Sequence, residues 1–255
     1  MKLRHFAPPA LVLAALCSMV FSLSGCAQLN HRPTQDPDAL AKAMSIQALN
    51  GTIKTCKGMA RTTLIREGKR QSFRMAWAAQ APDRARIILT ASGQPIETII
   101  ADGKRVTFFS HTRAHAPHTT SSANPDLKAF TQIPVKMSDL IALLLGQIPV
   151  MEFDLAKRIP PPSPRLILKK KWGPTQQWIH FSSTGKIEKL ECFTRENRPD
   201  YTLLYKNFTS MQGLEIPQDF SIQDPQGQRM DIQVLKFLPN APIKETVFRL
   251  TPSGS

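Results

Sequence analysis

The sequence predicts a mainly β protein with a few helices: one antiparallel sheet of about eleven strands, forming an unclosed β-barrel with a helical lid. Three observations point there. Short runs of period-two alternation recur along the chain, and the turn residues between them are too few for crossover connections. Two amphipathic helical stretches interrupt an otherwise continuous meander. The strands also carry one strongly apolar face, which would expose a large hydrocarbon patch unless something covered it.

The chain opens with Lys2 and Arg4, followed by residues 6–30 with no charge, a run that contains Leu23-Ser24-Gly25-Cys26. A basic start, an apolar middle and small residues at the end describe an export signal. The Leu-Ser-Gly-Cys ending resembles a bacterial lipobox. That resemblance implies cleavage before Cys26, a thioether-linked diacylglycerol on its sulfur and a palmitate-type acyl group on the new N-terminus. Several acyl chains anchor firmly, because each buried methylene contributes about 0.8 kcal/mol. The alternative is an uncleaved signal anchor, since the run is long enough to span a bilayer; Pro8 and Pro9 at its start favour cleavage. Residues 1–25 are thus read as signal, 26–36 as lipidated cysteine and tether, and 37–252 as the folded domain. Removing 25 of 255 residues leaves 230, and the net charge of +14 loses Lys2 and Arg4.

Asp36 suits a helix N-cap, Pro37 the first helical position and Asp38 the positive end of the dipole. A helix is predicted over roughly 37–49, with Leu40, Met44 and Ala48 on its apolar face and Gly51 ending it. Strands follow over 53–65, 71–79, 84–90, 96–100 and 104–110, with Gly58 a candidate bulge. Glu67-Gly68-Lys69 and Asp102-Gly103 read as hairpin turns. Residues 111–126 read as a polar loop. A second helix is expected over 138–146, capped by Ser138 and stopped by Gly146, with Leu140, Leu143 and Leu144 facing inward. Residues 160–164, four prolines around Ser163, read as a stiff connector between two halves. The back half offers strands at 165–172, 176–182, 186–195, 201–209, 220–223 and 230–237, and a last one at 247–250.

Candidate chemistry is sparse. His111, His115 and His118 lie close together, but with neither zincin spacing nor a cysteine partner, so a solvated loop is expected and no metal. No nucleophile elbow, zincin motif or phosphate-binding glycine loop is present, and no enzyme activity or cofactor is expected. Cys56 and Cys192 remain after Cys17 leaves and Cys26 is acylated. An oxidising compartment permits a disulfide between them, and two separate buried thiols fit equally well. The basic balance of an exported chain points to phospholipid headgroups or acidic polymers, not nucleic acid.

The order of parts resembles the LolA/LolB lipoprotein-carrier superfamily. The resemblance rests on the lipobox, tether and first helix, on Ile133-Pro134-Val135 before a Leu-rich helix, and on Gly146-Gln147-Ile148-Pro149 after it. The stretches 72–77 and 86–93 and the terminal Phe248-Arg249-Leu250-Thr251-Pro252 are also similar to LolB, the outer-membrane lipoprotein receptor. The resemblance implies a half-barrel with a helical lid and an apolar cavity for acyl chains. Phe73, Met75, Trp77, Ile87, Leu89, Val106, Phe108, Leu140 and Leu144 are the candidate lining, and Ile96 the candidate for an apolar residue on a protruding loop. Without the resemblance, the pattern of those side chains favours a filled core over a cavity. The implied role is a monomer, anchored through Cys26 at the outer membrane facing the periplasm, that binds an acylated lipoprotein or lipid. Ala27 after the cysteine is permissive for export onward. The alternative is a non-transporting interaction or sensor module with the same fold.

Overall fold

A computed structural model describes residues 35–249, apart from 132, 196, 197 and 212. The lipobox, Cys26, the tether to residue 34 and residues 250–255 lie outside the described residues. Thirteen strands form one sheet: β1 (Thr55–Arg66), β2 (Lys69–Gln80), β3 (Arg84–Ala91), β4 (Gln94–Asp102), β5 (Val106–Ser110), β6 (His118–Thr119), β7 (Leu155–Ile159), β8 (Arg165–Lys169), β9 (Gln176–Phe181), β10 (Ile187–Phe193), β11 (Tyr201–Met211), β12 (Leu214–Gln223) and β13 (Arg229–Pro239). The spatial order is β6-β5-β4-β3-β2-β1-β13-β12-β11-β10-β9-β8-β7. All neighbours are antiparallel.

That order defines the architecture. The chain steps outward from β1 to one edge at β6, passes to the other edge at β7, and steps back until β13 pairs with β1. The two edges, consecutive in sequence, do not pair, so the barrel stays open. Residues 120–154 join them and carry α2 (Lys128–Thr131) and α3 (Met137–Leu144). A connection between opposite edges must cross a face of the sheet, and here it covers the apolar one.

Several local expectations are corrected. The helix before the sheet, α1 (Pro37–Asn50), is capped as expected, Asp36 Oδ1 accepting the Ala39 N–H at 3.1 Å. Its buried face is Ala39, Ala43 and Ile46, however, and Met44 is 58% exposed. α1 packs on β7 and β8, and two alanines there let its backbone come close. Asn124 from the preceding loop, not Ser138, completes the start of α3, its Oδ1 accepting the Ser138 N–H at 2.9 Å. Residues 160–164 turn a hairpin, since Ile159 pairs with Arg165. The strand expected at 247–250 is instead a 3₁₀ helix, Glu245–Phe248, which buries Phe248. β6 and β7 had no sequence signal: one is two residues long and the other is Leu-Ala-Lys-Arg-Ile, an edge strand of weak alternation.

The bulge lies one step from Gly58, between Met59 and Ala60, where β13 carries the extra residue Leu235. Gly58 serves a different purpose. A Cβ there would sit 2.1 Å from Trp77 Cζ2, so the indole lies against a backbone that has no side chain.

Candidate functional site: the covered face and its lid

The register places seven strand candidates on one face. Phe73, Met75 and Trp77 alternate along β2; Leu89 stands opposite Met75 and Ile87 opposite Trp77. Ile99 links Ile87 to Phe108, and Val106 faces Ala101. Leu140 and Leu144 come down from α3 and are buried. Phe108 and Val106 have no solvent-accessible surface and Ile87 has 1%, whereas Phe73 and Leu89 are half-buried at the rim.

The lid is tied to this face by a few polar contacts. Trp77 Nε1 donates to the Leu144 carbonyl at 2.9 Å, meeting a C-terminal helix acceptor that has no partner within the helix. Gln147 Nε2 donates to the Asn50 and Ile53 carbonyls at 2.7 and 2.8 Å. Asn50 answers with Nδ2 to the Ile148 carbonyl at 2.6 Å and Oδ1 from the Ile148 N–H at 3.0 Å. Gln177, buried on β9, accepts from the Met151 N–H and donates to the Pro149 carbonyl, both at 3.1 Å. Gly146, at φ 71°, lets the chain leave α3, and a Cβ there would lie 3.0 Å from Ile216 and Phe237.

Ile96 is not on a protruding loop. β3 and β4 are joined by a two-residue turn, Ser92-Gly93, with φ 50° and 81°. Ile96 lies within β4, half-buried, and its carbonyl accepts the His111 N–H at 3.0 Å.

An open cleft of about 1110 Å³ lies beside the start of α3, and none of the nine lining candidates borders it. Asp139, Tyr201, Cys192 and Gln177 stand along it. The Tyr201 hydroxyl donates to Asp139 Oδ2. Burial raises the Asp139 carboxyl above its ordinary value, raises Tyr201 well above its own, and pushes the Cys192 thiol up to about 12. A thiol so raised is protonated at neutral pH and a poor nucleophile. Burial likewise pushes Cys56 up to about 11, and both cysteines are free, which settles the choice left open by the sequence.

The three loop histidines go separate ways. His111 Nε2 bonds Thr98 Oγ1 at 2.8 Å, His115 Nε2 meets Glu97 Oε2 at 3.1 Å, and His118 enters β6 beside Phe108. Part of the expected polar loop is therefore an edge strand fastened to the sheet. Nothing along the sequence pointed to Asn50, Gln177 or the Asp139–Tyr201 pair, and Gly58 carried only its bulge signal. Gln147, in the Gly-Gln-Ile-Pro stretch, lay in a motif whose sequence showed nothing of its bonds to Asn50 and Ile53.

No sequence family and no curated protein sequence matches the chain. Its fold does match solved structures. A DUF1329-family protein from Desulfovibrio piger superposes with a TM-score of 0.63 at 10% identity, covering 83% of this chain and 96% of that one. A LolA-superfamily protein from Nitrosomonas europaea gives 0.58 at 14% identity, covering 82% and 97%. A domain named for outer-membrane lipoprotein sorting, from Vibrio parahaemolyticus, gives 0.51 at 12% identity, covering 82% and 95%. The chain is an unclosed antiparallel half-barrel with a helical lid. That fold is the LolA/LolB-like fold.

Proposed function

We propose that this protein is a lipid-anchored carrier or receptor of the bacterial envelope, which takes an acylated lipoprotein or lipid against the covered face of its half-barrel. It is held through Cys26 at the outer membrane, acts as a monomer and catalyses no reaction. The observation that carries the reading is the manner of cover. Apart from α1 over β7 and β8, the apolar sheet face is closed by one 35-residue connection between its two edges, residues 120–154, rather than by a second sheet. A strap of this kind can lift while the sheet stays paired, and acyl chains need only an apolar lining. The name of the Vibrio domain points the same way.

One observation favours the second reading, an interaction or sensor module that carries nothing. Phe108 and Val106 are fully enclosed, as in an ordinary core. Leu89→Trp separates the two readings. Leu89 is half-buried at the rim, so a larger ring should leave the melting temperature nearly unchanged and weaken uptake of a fluorescent fatty-acyl probe. In a packed core the same change costs typically 1–3 kcal/mol. A wild-type protein that takes up no probe and co-purifies with no lipid by mass spectrometry, together with a strongly destabilised variant, would select the second reading.

A further inference from the structure

The outer face of the sheet carries a pattern that the covered face does not explain. Register aligns three outward rows across β3, β2, β1 and β13: Arg86, Ala78, Lys57, Leu238; then Ile88, Ala76, Met59, Lys236; then Thr90, Arg74, Arg61, Gln233. The bulge opposite Met59 turns Leu235 outward as well, so Leu235 and Lys236 are both exposed between buried Val234 and Phe237. The result is an aliphatic island framed by cations. Met59 is 39%, Leu235 51% and Leu238 44% exposed, half of the six large hydrophobic residues that stand exposed among the described residues.

The charge is one-sided. Among the outward positions of these four strands the only carboxylate is Asp231, and Arg229 already holds it at 2.6 Å. Lys57, Arg61, Arg74 and Lys236 make no ion pair among the described residues. Arg61 and Arg74 stand directly opposite each other, an arrangement that destabilises a sheet. Such a pair gains only when an anion lies over it.

We infer that this face docks on an anionic phospholipid surface. β1 and β13 are the sixth and seventh of thirteen strands, the crest of a curved sheet, and a crest is what a convex body presents to a flat partner. The residue mix fits the headgroup layer: long cations reach phosphates while isolated aliphatics touch the acyl boundary. Protein interfaces favour aromatic anchors, and this face has none. Docked this way, the lid faces away from the bilayer and stays free to move. The inference is independent of whether the covered face carries cargo.

The test uses the full chain reconstituted in vesicles, with an environment-sensitive fluorophore on Met59→Cys. Flotation with phosphatidylcholine vesicles reports the anchor alone. The expected result is a dry probe on mixed phosphatidylglycerol–phosphatidylcholine vesicles at low salt, and a wet one on phosphatidylcholine or at high salt. Arg61→Ser with Arg74→Ser should lower the docking equilibrium constant about thirtyfold, at about 1 kcal/mol per surface cation and tenfold per 1.4 kcal/mol. The double change removes a repulsion, so folding is not at risk. Three results overturn the inference. One is a Met59 probe that stays wet on anionic vesicles. Another is a dry probe indifferent to the arginines. The third is a probe shielded only when an acidic protein is added, which assigns the face to a protein partner.

Discussion

Gly58→Ala tests how the lid is latched. The new Cβ would lie 2.1 Å from Trp77 Cζ2 and 2.4 Å from Cε2, far inside contact distance. The indole is 5% exposed, so it can yield only by displacing packed neighbours. Overpacking of this kind costs about 1–3 kcal/mol. A displaced ring also loses its 2.9 Å bond to the Leu144 carbonyl, and an orphaned buried acceptor costs about 1–3 kcal/mol more. The lower backbone entropy of alanine offsets about 0.5–1 kcal/mol. The net is a loss of about 1–5 kcal/mol, a fall in melting temperature of roughly 2–20 °C for a domain of this size. Thermal melts of Gly58→Ala, Trp77→Phe and the double variant measure it. The smaller ring should absorb much of the alanine's cost, so the cycle should show strong coupling. A single variant that melts like the wild type, or an alanine cost unchanged in the Trp77→Phe background, would refute the assignment of Gly58 as the seat of the indole.

Two further outcomes follow from the anchor and from the buried acid. Cys26→Ala should release the protein from membranes, since no helix among the described residues is long and apolar enough to cross one; a variant that still pellets with membranes after a salt wash would sink the lipid-anchor reading. Burial raises Asp139 in the folded state, so that state holds a proton the unfolded chain gives up at about pH 3.9, and stability should fall as pH rises from there through the raised value. Asp139→Asn keeps an acceptor for Tyr201 and should flatten that slope in urea titrations; an unchanged slope would place the proton elsewhere.

The fold was legible because alternation and turn chemistry are local. Asp36 as cap, Gly146 as stop and the register implied by Phe73, Met75 and Trp77 all needed only neighbouring residues. What sequence could not give depends on distant partners. The buried side of α1 is chosen by how closely β7 and β8 let it approach, so Ala39 and Ala43 displaced the larger Leu40 and Met44. Asn124 caps α3 from fourteen residues away. Gly58 reads as a bulge signal along the chain, and its real constraint comes from a ring on the next strand. The same holds for the candidate site: periodicity put seven residues on one face, as the register does, but Ile96 was misplaced because a loop's length depends on pairing across it.

A filled face and a carrier role fit together only if the lid can lift, and its attachments show where. An empty apolar cavity deprives its walls of contacts, so an unloaded carrier should collapse onto itself. Thr120 is fastened to Val106 where the connection leaves β5 and β6, and Glu152 and Asp154 to Lys170, Lys169 and Lys171 where it enters β7 and β8. Between these ends, the hydrogen bonds to the body of the fold lie between residues 139 and 151: Tyr201 to Asp139, Trp77 to Leu144, Asn50 with Gln147 and Ile148, and Gln177 with Pro149 and Met151. Over 124–138 the described hydrogen bonds join the segment to itself, as in Leu127 N–H to the Val135 carbonyl and Met137 N–H to the Pro125 carbonyl. What holds that stretch down is apolar: Leu127, Ile133, Val135 and Met137 have no exposed surface. Acyl chains can replace such contacts without stranding a polar group, so this end should rise while residues 144–151 act as hinge. Val135→Cys should therefore be protected from a thiol reagent in the empty protein and become reactive on addition of a fatty-acyl probe, with Leu144→Cys protected throughout. Equal labelling at both positions, or none at Val135→Cys when the probe is bound, would show that the lid does not open from this end.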